Sequence, residues 1–277
     1  MSKYALLRAR VAGWPELRLF EAPRATVAAL QGAHDPDYVS AVLEGGLSER
    51  ALRVIGFPWS VEMLERTLCS AGATCAATAA AVEDGIAVNL AGGTHHAGPG
   101  SGQGYCVFND VAVAARLAQA SGWARRVAIV DTDVHQGNGT AEVFASDPTV
   151  FTFSIHGEKN FPFHKVASDL DVALPDGTGD AAYLDALAPG LEAVRAFGPD
   201  LVLWVSGADP YEGDRLGRLR LTLAGLRSRD DAVLDACGGV PVVVTMGGGY
   251  APEVADIVAV HAQTVDRCLQ RWRGWGR

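Results

Sequence analysis

The stretch "DTDVHQGNGT" (131–140) directly follows the apolar run "RVAIV". It sets Asp131, Asp133 and His135 at every second position, at the end of a segment that reads as a buried strand. In extended chain, residues two apart point to the same side, so Asp133 and His135 share a face. Other polar groups follow other apolar runs. "AGGTHHAG" brings His95 and His96, "LVLWVSGA" is followed by Asp209, and "VPVVVT" runs into "MGGGY" with Tyr250. Asp133, His135 and Asp209 make three N/O ligands with an open position, the pattern of a catalytic rather than a structural zinc site. Zinc in such a site lowers the pKa of bound water to about 7 and polarises a carbonyl. Hydrolysis also needs a proton acceptor and donor, for which His95 and His96 are candidates, and a donor to the oxyanion, for which Tyr250 is the candidate. Asp131 and Asn138 are candidates to orient the two imidazoles.

These residues must be positioned by a scaffold. Five apolar runs (85–90, 126–131, 149–155, 200–207 and 240–247) have the consecutive hydrophobicity of strands buried on both faces of a parallel sheet. Helical composition fills 60–83, 108–121, 180–197, 217–237 and about 251–271, with Pro252 suited to a first turn. The alternation predicts an α/β fold: a single-domain, three-layer, doubly wound, mostly parallel sheet over residues 1–277. In such sheets ligands bind beyond the carboxyl ends of the strands, where the polar residues fall. Residues 32–46 read as a turn and a short helix, and 1–59 carry the weakest pattern.

Composition narrows the partners. A formal charge of −9 disfavours nucleic acid and anionic membrane. The five cysteines show no C-x-x-C and no tight spacing, so neither a disulfide scaffold nor a thiolate zinc site is expected. Cys106 reads as a small buried side chain, and His34, His156, His164 and His261 carry no expected role. No apolar stretch has membrane-spanning length and no secretory h-region opens the chain, which predicts a cytoplasmic protein. "GPGSGQG" (98–104) does not read G-x-G-x-x-G, so no dinucleotide site is expected.

Four ordered motifs, "GGTHHAGPGSGQGYCVFND", "DTDVHQGNGT", "SGADPYEGDRLG" and "MGGGY", resemble the zinc-dependent histone deacetylases of the arginase/deacetylase fold. The likeness runs from about residue 34 to 265, and "QGNGT" and "EGDRLG" look closest to class IV members and bacterial relatives. The resemblance implies that Asp133, His135 and Asp209 bind zinc, and that His96 is general base and then acid. It implies that His95 with Asp131 assists electrostatically and that Tyr250 polarises the acyl carbonyl. It further implies a structural potassium ion at Asp131 and Ser154, and a lysine tunnel walled by Gly104, Tyr105 and Phe161.

Three departures matter. Asn138 stands where class I members have Asp, "VIGFPWS" (54–60) lacks the class I substrate-gripping Asp, and "MSKYALLRARV" resembles a point after the family's first strand. The expected activity is removal of acetyl or longer acyl groups from lysine in a peptide or protein. The alternatives are an acetylpolyamine or other small-amine amidohydrolase, an inactive acyl-lysine binder, and a two-manganese ureohydrolase.

Overall fold

The computed structural model describes residues 2–275. Its elements in chain order are α1 (Ser2–Val11), α2 (Val27–Gln31), α3 (Pro36–Glu44), α4 (Glu49–Ile55), α5 (Val61–Asp84), β1 (Ile86–Asn89), α6 (Asp110–Ala120), β2 (Val127–Asp131), α7 (Asn138–Phe144), β3 (Val150–Gly157), β4 (Leu170–Leu174), α8 (Asp180–Phe197), β5 (Leu201–Ser206), α9 (Leu223–Cys237), β6 (Val242–Met246) and α10 (Val254–Gly274). The six strands form one sheet in the order β1-β6-β5-β2-β3-β4, and every pairing is parallel.

Alternate strand residues feed two cores, as the period of two requires. Ala128, Val130, Val202, Trp204, Val242 and Val244 pack with α1, α8, α9 and α10 on one face. Val127, Ile129, Leu201, Leu203, Val205 and Val243 pack with α2, α3, α5 and α6 on the other. These are the three layers the apolar runs predict.

The chain runs outward from β2 through β3 to β4, then returns to the other side of β2 to lay down β5 and β6. The carboxyl ends of β2 and β5 therefore flank a topological switch point, where open α/β sheets form their ligand crevice.

Local chemistry sets the element ends. Ser60 caps α5, its hydroxyl accepting from the Met63 N–H at 3.1 Å. Asn109 caps α6 through Ala112 N–H at 3.0 Å. Thr222 caps α9 by accepting from Gly225 N–H at 3.1 Å, so that helix begins at Leu223, six residues later than its expected start at 217. Other elements depart further from expectation. β4 is a sixth strand, short and only partly buried at the sheet edge. α7 begins at Asn138, where the sequence pattern shows only a glycine-rich turn. The poorly patterned residues 1–59 hold four helices, of which α3 matches the short helix expected within 32–46 and the other three were not anticipated.

Candidate functional site

β2 ends at Asp131, and Asp133 and His135 follow it on the crevice side. Asp209 arrives from the turn after β5. One ligand atom from each of Asp133, His135 and Asp209 lies within 4.8 Å of the others. His135 Nδ1 is 3.0 Å from Asp133 Oδ1 and 3.2 Å from Asp209 Oδ2. The remaining carboxylate oxygens are held by backbone. Asp133 Oδ2 accepts from Gly248 N–H at 2.7 Å, and Asp209 Oδ1 accepts from Val134 N–H at 2.9 Å. Asp209 Oδ2 is fully buried with no hydrogen-bond partner. A buried, unpartnered carboxylate oxygen aimed at an imidazole nitrogen and a second carboxylate fits a divalent cation, and the N/O donor set fits zinc. Burial and the neighbouring Asp133 push the Asp209 carboxyl up to about 6, the strain expected of two carboxylates sharing a space built for a positive charge.

The two histidines sit side by side, ring centroids 4.2 Å apart, yet their partners differ. His95 Nδ1 donates to Asp131 Oδ2 at 2.6 Å. Burial opposes its charged form, but Asp131 outweighs burial and lifts His95 to about 9. His96 Nδ1 meets the amide oxygen of Asn138 at 2.7 Å. Burial, then the charges of His95 and His135, hold His96 well below the ordinary imidazole range. A neutral His96 that donates through Nδ1 leaves Nε2 free to accept a proton. The α7 start that supplies Asn138 is tied to the histidine segment by Thr140 N–H donating to His95 O at 3.1 Å.

A cavity of about 530 Å³ contains the triad and both histidines, with Tyr250 on its wall. Tyr250 is 41% exposed, and burial is the main cause raising its hydroxyl above the ordinary tyrosine range, so it keeps its proton as a donor. The expected tunnel residues gather here. The Tyr105 and Tyr250 ring centroids are 6.4 Å apart, and Phe161 stands edge-on to His96 at 4.9 Å. Gly104 has φ +55°, and a Cβ there would lie 2.7 Å from His96 Cδ2 and 3.0 Å from Phe161, so only glycine lets the wall approach the imidazole. Asp131 and Ser154 are register partners across β2 and β3. However, the Asp131 oxygens meet His95 and the Asp133 N–H, and the Ser154 hydroxyl meets His156 Nδ1 at 3.0 Å. The cluster geometry points to a cation at the triad, without corresponding support for potassium.

Several contributors were given no role from the sequence. Lys3, from α1, lies in the cavity with its ammonium 5.2 Å from the Tyr250 ring centroid and 3.4 Å from Gly249 O. Asp110 is fully buried and receives Thr94 N–H and the Thr94 hydroxyl at 2.7 Å and Gly93 N–H at 3.1 Å, pinning the loop before the histidines. His34, expected to be inert, links Gly98 O at 2.8 Å to Asn109 N–H at 2.9 Å and so braces the segment after them. The Asp in "VFND" was visible as part of a motif; nothing marked Lys3.

A family model described as "Histone deacetylase domain" matches residues 2–265. The chain is 50% identical over 236 residues to an uncharacterized protein of Picosynechococcus, covering 84% of this chain and 79% of that one. It is 34% identical over 202 residues to Histone deacetylase 2 of Arabidopsis thaliana, covering 71% of this chain and 52%, about half, of that protein. The solved HDA15 HD domain superposes with a TM-score of 0.81 at 28% identity, covering 97% of this chain and 81% of that one.

Proposed function

The chain belongs to the histone deacetylase family, and from that premise we propose that it is a zinc-dependent amidohydrolase that removes acyl groups from lysine side chains. The observation that carries this reading is the buried Asp133–His135–Asp209 cluster opening into the same cavity as His95, His96 and Tyr250. Zinc held by the three ligands supplies Lewis acidity and a water of lowered pKa.

The chain's own groups do the rest. His96 Nε2 takes the proton of the attacking water and returns it to the departing amine. Asn138 keeps the tautomer that leaves Nε2 free. His95, charged beside Asp131, stabilises negative charge that develops near it. Tyr250 donates its hydroxyl hydrogen to the carbonyl oxygen as it becomes an oxyanion. Gly104, Tyr105 and Phe161 wall the path of the lysine chain. The kinship with class IV members is our own placement. It rests on "QGNGT", "EGDRLG" and Asn138 beside His96, and it leaves acyl groups longer than acetyl within the substrate range.

Charge in the cavity favours acyl-lysine over acetylpolyamine. Its wall carries Lys3 and Arg66, with Arg53 paired to Glu49 at 3.4 Å, while its carboxylates are Asp133 and Asp209 of the triad. A polycation entering past those groups meets like charge once the triad is neutralised. The test is turnover by zinc-loaded protein of lysine peptides bearing acetyl to myristoyl groups, beside acetylspermidine, with and without a hydroxamate chelator. Hydroxamate-sensitive hydrolysis of the peptides is expected. Turnover of acetylspermidine alone would replace the lysine substrate, and a zinc-bound protein that hydrolyses nothing would overturn the reading.

A further inference from the structure

The "EGDRLG" segment holds a carboxylate that the chemistry above leaves unused. Asp214 is 7% exposed and all its observed acceptor bonds are to backbone. Its Oδ2 accepts from Tyr250 N–H at 2.5 Å. Its Oδ1 accepts from Leu216 N–H at 2.7 Å and Gly217 N–H at 2.8 Å. A second strap runs the same way, with Arg215 N–H donating to Tyr250 O at 3.4 Å.

The links continue around the cavity mouth. Asn160 donates from Nδ2 to Leu216 O at 2.8 Å and accepts from Arg218 N–H at 3.3 Å. Asn160 directly precedes Phe161, and Leu216, Phe161 and Tyr250 all line the cavity. The turn carrying Tyr250 lies outside both helix and strand, so no regular ladder holds it. A buried carboxylate receiving three backbone N–H groups makes charge-assisted bonds about twice as strong as neutral ones.

We propose that Asp214 is a positioning residue for the reaction: it clamps the backbone of Tyr250 to the Leu216 lip, so that the hydroxyl donor and the tunnel wall hold one register. The inference rests on the amidohydrolase reading for its kinetic consequence, but not for its structural one. A phenol hydroxyl acts on an oxyanion only over a narrow range of distance and angle, and a displacement of about 1 Å is enough to lose about a hundredfold in rate.

Two variants test this. Asp214→Asn keeps the size and one acceptor oxygen but turns an amide N–H₂ toward a backbone N–H, and Asp214→Ala removes the clamp altogether. In both, the Tyr250 amide proton is expected to exchange with solvent at least about tenfold faster, zinc per chain to stay at the wild-type level, and kcat to fall at least about tenfold with KM within about threefold. In a Tyr250→Phe background, Asp214→Asn is expected to add less than about threefold, because a clamp acting through the hydroxyl has nothing left to position. Full multiplication of the two losses, or kcat within about twofold of wild type in both single variants, would overturn the assignment. If wild-type protein hydrolyses no acyl substrate, the amidohydrolase reading falls separately. Tyr250 amide exchange in Asp214→Asn then decides alone: acceleration supports the clamp, and no change removes it.

Discussion

At the scale of single residues, the site separates two chemically identical side chains by their second partners. His95 and His96 are adjacent and buried, but one meets a carboxylate and the other an amide. The carboxylate raises proton affinity and the amide does not match it, so the pair divides into a charged stabiliser and a neutral acceptor. The same logic assigns Tyr250: a hydroxyl raised above its ordinary range donates rather than ionises. Replacing Tyr250 with Phe is expected to lower kcat by about a hundredfold or more, on the scale of a lost oxyanion donor. Zinc content measured by elemental analysis should be unchanged, because the hydroxyl is not among the triad atoms. The residue types of the triad, the histidine pair and Tyr250 could be read from the motifs, while Lys3 and His34 could not. A lone Lys near a chain start and a lone His before a helix have no local pattern that sets them apart from surface residues.

At the scale of elements, the crevice exists because β2 and β5 are neighbours although the chain visits β3 and β4 between them. Asp209 thereby reaches a strand end 75 residues away, where its Oδ1 takes the Val134 N–H. The turn after β6 closes the site from the third side, and it can approach only because position 248 has no side chain. A Cβ on Gly248 would lie 1.9 Å from Asp209 Oδ2 and 2.9 Å from Asp133 Oδ2. Gly248→Ala is expected to weaken zinc binding by about ten- to a hundredfold, the range seen when groups supporting metal ligands are disturbed. Competition against a chromophoric chelator measures it, and wild-type affinity in the variant would contradict the packing described. The runs of β2, β3, β5 and β6 were legible as strands because both faces of a central parallel strand are buried, and β1, although an edge strand, keeps a short apolar run. β4 was not, because Asp171 interrupts its five residues and leaves no continuous apolar run. α7 was hidden by the glycines that surround its start.

At the scale of the whole molecule, net charge and local charge point in opposite directions. The chain carries −9, yet the cavity wall presents lysine and arginine. Total charge governs long-range encounter, and the cleft governs what enters. Buried titratable groups also tie global stability to pH. His261 on α10 is buried with neither ring nitrogen hydrogen-bonded. Burial, then the charges of Lys3 and Arg229, depress it to about 3. Its unfolded value is about 6.5, so between these values the unfolded chain binds more protons, and stability falls as pH drops below about 6.5. The loss from this group alone is about 2 kcal/mol by pH 5. Urea midpoints of wild type and His261→Leu, compared at pH 7.5 and pH 5, should show the variant with the smaller decline. Equal declines would remove His261 as a source of acid sensitivity. Among the described residues no helix is long and apolar enough to cross a membrane.

Sequence alone determined the sheet-forming runs, the likeness to the family and the identity of the groups at the strand ends. Those properties are local: a period of two sets which side chains share a face, and the end of an apolar run marks where a parallel strand delivers its polar residues. Tertiary structure decided which ends meet and what supports them. Lys3 over Tyr250, Asp214 beneath the Tyr250 turn and His34 behind the histidine loop join segments separated by 36 to 247 residues of chain. Such pairings depend on how crossovers lay helices and loops across the sheet, and no local pattern in the chain encodes a crossover's landing point.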